Sequence, residues 1–254
     1  MRIVIAIPCY QCENQIGRNL REVEEIISTR SEIFGVILVE NRGADRTLAA
    51  AQSCIEGFAN RDKYRIYRNR QNYGLGGSHK VAFELALAST ATHMVFLHGD
   101  HQATALDIPQ LVDVSCNHSG ASVLGARFQD LSRLSGYSKT RTCGNLALNW
   151  LYSLCCQRKI YDLGSGLNLF RLTDFQSREF QSFDNGFTFN MDLLLFMVRQ
   201  GKLFTYTPIR WSTTDQRSNA DALRVGLKTM RALLYWLLRI PKTSVACTET
   251  EQLF

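Results

Sequence analysis

Four short apolar runs alternate with segments of helical period, and this alternation constrains the fold more than any other feature. Arg2–Pro8, Gly35–Val39, Tyr64–Tyr67 and Met94–Leu97 read as strands. Between them, Asn14–Ser28, Asp45–Phe58 and Gly77–Ser89 read as helices. In the first of these, Ile16, Leu20, Val23, Ile26 and Ile27 recur at helical spacing. A run that is apolar throughout, such as Gly35–Val39, suits a strand buried on both faces. The β-α-β-α-β-α-β order joins parallel strands by right-handed crossovers. An α/β fold follows: a mostly parallel central sheet with helices on both faces. Farther on, Asp107–Asn117 reads as a short helix and Ala121–Gly125 as a strand. Arg141–Gln157, Phe189–Arg199 and Ala220–Ile240 are longer helices, with a strand at Leu203–Arg210 between the last two.

The chain has 254 residues, 45% of them hydrophobic, enough for one sizeable core. No Pro/Gly/Ser-rich linker divides it. No run approaches the ~20 apolar residues that span a bilayer, and the first residues read as a strand rather than a leader. The eight cysteines therefore read as reduced thiols in a cytosolic setting. Charge is uneven. Lys202–Lys242 holds eight basic and two acidic residues, against a net charge of +6 for the whole chain. That end suits an anionic partner. Nucleic acid is the poorer choice, because no basic strand interleaved with aromatics accompanies it.

The strand Met94–Leu97 ends in His98-Gly-Asp-His-Gln102. In an extended chain, residues at i, i+2 and i+4 share a face, so His98, Asp100 and Gln102 are expected to converge on a metal ion. Open α/β sheets bind their ligands at such strand ends.

The motifs in order are Ile7-Pro-Cys-Tyr10, Val39-Glu-Asn-Arg-Gly-Ala-Asp-Arg-Thr47, Asn72-Tyr-Gly-Leu-Gly-Gly77 and His98-Gly-Asp-His-Gln102. Gly125-Ala-Arg127, Asn145, Asn149 and Asp162-Leu-Gly-Ser-Gly166 follow. Together they resemble family 2 glycosyltransferases of GT-A fold, in the polyprenyl-phosphate sugar transferase branch. The resemblance implies that Pro8, Tyr10, Glu40, Asn72, Gly74 and Asp100 bind a nucleoside-diphosphate sugar. It implies a divalent ion on His98, Asp100 and Gln102 that neutralises the leaving diphosphate. His98 stands where the family has Asp, and imidazole favours Mn²⁺ over Mg²⁺. Arg127, Arg141, Ser165 and Arg217 are the implied holders of an acceptor phosphate, with Arg158 a further candidate. Asp100 and Asp162 are the implied catalytic carboxylates, and Asp192 is the candidate base for a hydroxyl acceptor. Tyr206 stands where many relatives have an acid.

Residues 1–222 are expected to form the catalytic domain. Residues 223–254 are expected to form a basic amphipathic helix and tail. Arg224, Lys228, Arg231, Tyr235 and Arg239 line one stripe of that helix, and residues 223–240 are expected to meet an anionic membrane surface. The expected activity is metal-dependent, inverting transfer of a sugar to an undecaprenyl or dolichyl phosphate. Its expected place is the cytoplasm, peripheral on the inner membrane face. Two alternatives stand beside it: transfer to a saccharide, protein or small-molecule hydroxyl, and a non-catalytic nucleotide-sugar-binding scaffold.

Overall fold

The computed structural model describes residues 1–213, 222–243, 247 and 249–254. The first strand, β1 (Ile3–Cys9), is buried at every position. Its side chains alternate between two apolar layers. Ile3, Ile5 and Ile7 face α1 (Ile16–Thr29) and α2 (Thr47–Glu56). Val4 and Ala6 face α3 (Gly74–Leu87). This is the period-2 geometry of a central strand covered on both sides. In α1, Ile16, Leu20, Val23, Ile26 and Ile27 are all buried, as their spacing requires.

The other strands are β2 (Ile33–Glu40), β3 (Tyr64–Asn69), β4 (His93–Leu97), β5 (Ser122–Ala126), β7 (Leu167–Arg171), β8 (Phe204–Pro208) and β10 (Thr250–Gln252), with β6 (Arg133–Ser135) and β9 (Arg210–Ser212) apart. Eight strands form one sheet in the order β10-β3-β2-β1-β4-β7-β5-β8. The pairs β1–β2, β1–β4, β2–β3 and β5–β8 are parallel, while β7 and β10 run antiparallel to their neighbours. The expected mostly parallel sheet between helical layers is therefore present. The other helices are α4 (Ile108–Asn117), α5 (Lys139–Cys156), α6 (Phe189–Arg199) and α7 (Ala222–Leu237).

Four strands escaped the sequence reading. β7 inserts between β4 and β5, so the stretch after Gly166 is a central strand. β6 and β9 pair in a separate two-stranded sheet over the site. The tail does not stay with α7: Thr250–Gln252 pairs with β3 and extends the main sheet. The segment expected to belong with a membrane helix is thus the outermost strand of the main sheet, beside β3.

Past Leu97 the chain is no longer extended. Gly99 and Asp100 form a turn and His101 takes a left-handed φ of 54°. The alternation argument for His98, Asp100 and Gln102 therefore fails after the first residue, although all three still line one cavity.

Candidate active site

A cavity of about 880 Å³ opens at the carboxyl ends of β1 and β4 and extends between α5 and α7. Pro8, Cys9, Tyr10, Asn41, Asn72 and Gly74 form one wall. His98, Asp100 and Gln102 line it from the end of β4, and Arg127, Tyr137, Arg141, Asn145 and Trp211 from another side. Leu148, Phe187, Met191, Leu227 and Met230 give the part near α5 and α7 an apolar lining.

The wall that includes Asn72 and Gly74 is organised by Asn41. Its Oδ1 accepts from Asn69 Nδ2 (2.8 Å) and the Tyr73 amide (2.9 Å). Its Nδ2 donates to Asn72 Oδ1 (2.8 Å) and the Gly74 carbonyl (3.3 Å). One amide thus ties β2, β3 and the start of α3 together, which an acid with no donor cannot do. Gly74 takes φ +75°, and a Cβ there would lie 2.4 Å from the Asn185 carbonyl oxygen. Only glycine fits that approach.

Glu40, expected to touch the donor, is turned away. It is buried, accepts from Arg68 Nε (2.8 Å) and the Gly43 amide (2.6 Å), and does not line the cavity. The correction has a simple cause: it ends β2 on the side of Arg68, and both carboxylate oxygens are used there.

Asp162 is also committed. Arg127 donates Nε to its Oδ2 and Nη2 to its Oδ1, both at 2.8 Å, and the Arg127 and Gly164 amides bind the same carboxylate. Its carboxylate holds Arg127 and the 162–166 loop in place. Arg127 lies 4.9 Å from the Trp211 ring centre and 5.2 Å from that of Phe128. Burial works against its charge, but Asp162 outweighs it and raises the pKa.

Ser165 is fully buried and its hydroxyl donates to the Leu167 carbonyl (3.0 Å), so it closes the turn into β7. Arg158 leaves the site altogether: it lies 3.6 Å from the Phe204 ring centre and donates to the Phe204 carbonyl. Arg141, on the first turn of α5, does line the cavity. Arg217 lies outside the described residues. Tyr206 donates to the Asp162 carbonyl (3.1 Å), supporting the same loop from β8. Asp192 is buried and paired with Lys242; burial raises its pKa, opposed by Lys242 and the Asp184 amide.

Asp100 differs from these acids. It is half-buried in the cavity and accepts one hydrogen bond, from the Gln102 amide (3.2 Å). Burial pushes its pKa up to about 6, against the Gln102 amide and the charge of His101. A desolvated carboxylate with so little compensation fits a cation. No cluster of three His, Cys, Asp or Glu exists among the described residues. A divalent ion here would complete its shell with Gln102, an imidazole nitrogen and oxygens of a bound diphosphate.

His98 is held from behind by His79, Nε2 to Nε2 at 3.2 Å. Burial, then the charges of His79 and Arg127, push His98 down to about 3. Burial pushes His79 to about 4, with the Leu75 carbonyl opposing. His79, Asn41, Tyr137, Trp211 and Asn190 were not singled out from the sequence. Asn and Trp carry no strong motif signal, and the His79–His98 spacing shows nothing until α3 packs on β4. The Trp211 Nε1 and Asn190 Oδ1 atoms are buried without partners.

The cleft lined by Asp100, Arg127 and Arg141 lies at the strand ends, where open α/β sheets bind their ligands. Residues 4–187 match Glycosyl transferase family 2, and the chain belongs to that family. The chain is 22% identical over 264 residues to Dolichyl-phosphate beta-glucosyltransferase of Saccharomyces cerevisiae, covering 96% of this chain and 77% of that protein. Among solved structures, mannosyl-3-phosphoglycerate synthase from Rubrobacter xylanophilus superposes with a TM-score of 0.69 at 14% identity, over 94% of this chain and 74% of that one. A mannosyltransferase from Pyrobaculum calidifontis, in complex with GDP-Man and Mn²⁺, gives 0.66 at 14% identity, over 96% and 66%. The chain thus spans just under two thirds of that mannosyltransferase. At these identities the structural likeness is one of fold, the GT-A α/β fold. The protein is a glycosyltransferase.

Proposed function

We propose that this enzyme is an inverting, metal-dependent hexosyltransferase that moves a sugar from a nucleoside-diphosphate sugar to a polyprenyl phosphate at the cytoplasmic membrane face. One observation carries the choice of acceptor. Asp100 is the only carboxylate that lines the cavity among the described residues, and Asp162 and Asp192 are tied up in ion pairs. A hydroxyl acceptor needs a base to take its proton. A phosphate monoester is already ionised and needs positive charge instead, which Arg127 and Arg141 supply. The branch that includes dolichyl-phosphate sugar transferases has such acceptors, and the resemblance to the yeast enzyme supports the same reading.

The donor's nucleoside lies against Pro8, Tyr10, Asn72 and Gly74, with its diphosphate toward Asp100. An acceptor phosphate oxygen attacks the anomeric carbon from the opposite side. The bond from that carbon to the diphosphate breaks, its electron pair leaves with the nucleoside diphosphate, and the configuration inverts. A divalent ion on Asp100, Gln102 and His98 would supply Lewis-acid neutralisation of the leaving diphosphate. The nitrogen donor favours Mn²⁺ over Mg²⁺. Asp162 and Tyr206 keep the loop that bears Arg127's anchor in place.

The surface beside the cavity supports a lipid acceptor. Leu146, Trp150 and Leu154 are exposed along α5 at i, i+4 and i+8. Leu227, Met230, Leu234 and Leu237 are exposed along α7, with Arg224, Lys228 and Arg231 exposed at the adjoining edge. The two helices pack together, and the cavity passes between them. Apolar rows with Trp and a basic margin suit the interface of an anionic bilayer. No helix among the described residues is long and apolar enough to cross a membrane.

The test is transfer from labelled nucleoside-diphosphate hexoses to undecaprenyl or dolichyl phosphate with Mn²⁺. The expected product is an acid-labile β-linked lipid phosphate sugar. An α-linked product contradicts inversion, and no transfer from any donor contradicts the proposal.

A further inference from the structure

The Nδ1 of His79 lies 2.8 Å from the Leu75 carbonyl, which can only accept a hydrogen bond. His79 is therefore protonated on Nδ1, and in the neutral ring its Nε2 is an acceptor. The facing Nε2 of His98, 3.2 Å away, must donate. That places the only proton of a neutral His98 on Nε2 and leaves a lone pair on Nδ1. Among the described residues no other hydrogen bond holds the ring, and His98 is partly exposed to the cavity it lines. The ring is fixed in place as well. Its other side rests on Gly166, where φ is +74° and a Cβ would lie 2.5 Å from Nδ1. His79 stacks on Phe189 and meets Phe96 edge-on, so it is itself immobilised.

We infer that His79 is a positioning residue that locks His98 in the Nε2–H tautomer, so that Nδ1 is presented to the cavity as a ligand for the divalent cation. This rests on the metal-dependent reading above and adds a residue that acts on the metal only through His98. A carboxylate at position 98 would need no tautomer control, whereas an imidazole does, and a partner on its second nitrogen supplies it. His79 sits on α3, within the segment that opens the phosphate side of the cleft. The relay runs from the Leu75 carbonyl through both rings to the cavity that His98 lines.

The test reads the full-length, metal-free protein first. Long-range ¹H–¹⁵N correlation of the His98 ring, assigned with His98→Gln, is expected to show Nε2 protonated and Nδ1 bare. A His98 protonated on Nδ1 overturns the inference. Mn²⁺ affinity in the presence of UDP or GDP is then measured by calorimetry. His79→Leu is expected to weaken Mn²⁺ about 10–100-fold. His79→Gln, whose side-chain oxygen still accepts from His98 Nε2, is expected to stay within about threefold and guards against a folding defect. In a His98→Asp background, with no ring to orient, His79→Leu is expected to change the affinity less than about twofold. Equal Mn²⁺ affinity for wild type and folded His79→Leu overturns the inference alone. Absence of Mn²⁺ binding by the wild type overturns it together with the metal-dependent reading. Failure of sugar transfer with the tautomer and the Mn²⁺ coupling intact overturns only the proposed acceptor.

Discussion

Arg127 and Asp162 grip each other at two points, Nε to Oδ2 and Nη2 to Oδ1, both 2.8 Å, with side chains 10% and 1% exposed. The carboxylate that the family resemblance implies to be catalytic is thereby held by an arginine, and that arginine is fixed at the wall of the cleft.

Breaking this pair leaves an uncompensated buried charge. Asp162→Asn is expected to cost ~3–5 kcal/mol of stability, read from urea unfolding. Asp162→Asn is also expected to lower transfer without changing the pH dependence of the rate. Loss in that variant of a pH limb that the wild type shows would restore Asp162 to a proton-transfer role.

Asp100 titrates at about 6, so the cleft presents a carboxylate above that pH and a neutral acid below it. Mn²⁺-dependent donor affinity is expected to be flat above about pH 7. Below about pH 6 it should fall toward tenfold per unit, as protons compete with the metal. Calorimetry across this range checks it, and Asp100→Asn should show weak, pH-independent Mn²⁺ binding.

Stability of the metal-free protein carries two opposed signatures. His79 is held at about 4 against an ordinary 6.5. The unfolded chain takes up that proton first, so the contribution is complete above about pH 6.5 and is lost as pH falls toward 4, at up to ~1.4 kcal/mol per unit. Asp100, raised from 3.8 to about 6, acts the other way: its contribution is lost as pH rises through 6. Asp100→Asn should therefore steepen the acid loss and His79→Gln should flatten it, in urea unfolding between about pH 4 and 7.

Trp211 buries an indole N–H that finds no acceptor among the described residues, on a wall of the cavity. Trp211→Phe removes the unmet donor and keeps most of the ring. The melting temperature is expected to hold or rise, while donor or acceptor affinity falls up to about tenfold, the worth of one hydrogen bond. Loss of stability with intact affinity would mean that the N–H faces no ligand.

The exposed rows on α5 and α7 predict membrane contact. Trp150→Ser with Leu154→Ser, at positions 68% and 62% exposed, should reduce flotation with anionic vesicles several-fold and leave the melting temperature unchanged. Lys228→Glu with Arg231→Glu should do the same, and their effect should fade at high salt. Equal flotation of wild type and variants would place the acceptor in solution.

Much of the fold is legible because β1–β4 and α1–α3 carry strong periodic patterns that agree with burial on both faces. β10 is hidden because Thr250–Gln252 is a three-residue polar edge strand with no apolar face to repeat. β7 is hidden because a short buried run such as Leu167–Phe170 has the same pattern whether it enters the sheet parallel or antiparallel. In the site, Asp100 and Gln102 are found by motif, but their convergence with His98 depends on a turn at Gly99-Asp100 rather than on strand alternation. The partners of Glu40 and Asp162 are hidden for one reason: composition cannot reveal that Arg68 and Arg127 occupy their carboxylates. His79 is invisible because its meaning is a distance of 3.2 Å across two elements.

The most direct test compares two acceptors that differ only at the head: a polyprenyl phosphate and the corresponding polyprenol, each with the same labelled nucleoside-diphosphate hexose and Mn²⁺. Transfer to the phosphate and none to the alcohol is the predicted result. Transfer to the alcohol at a comparable rate would contradict it, because the described cavity holds no carboxylate besides Asp100 to take the hydroxyl proton.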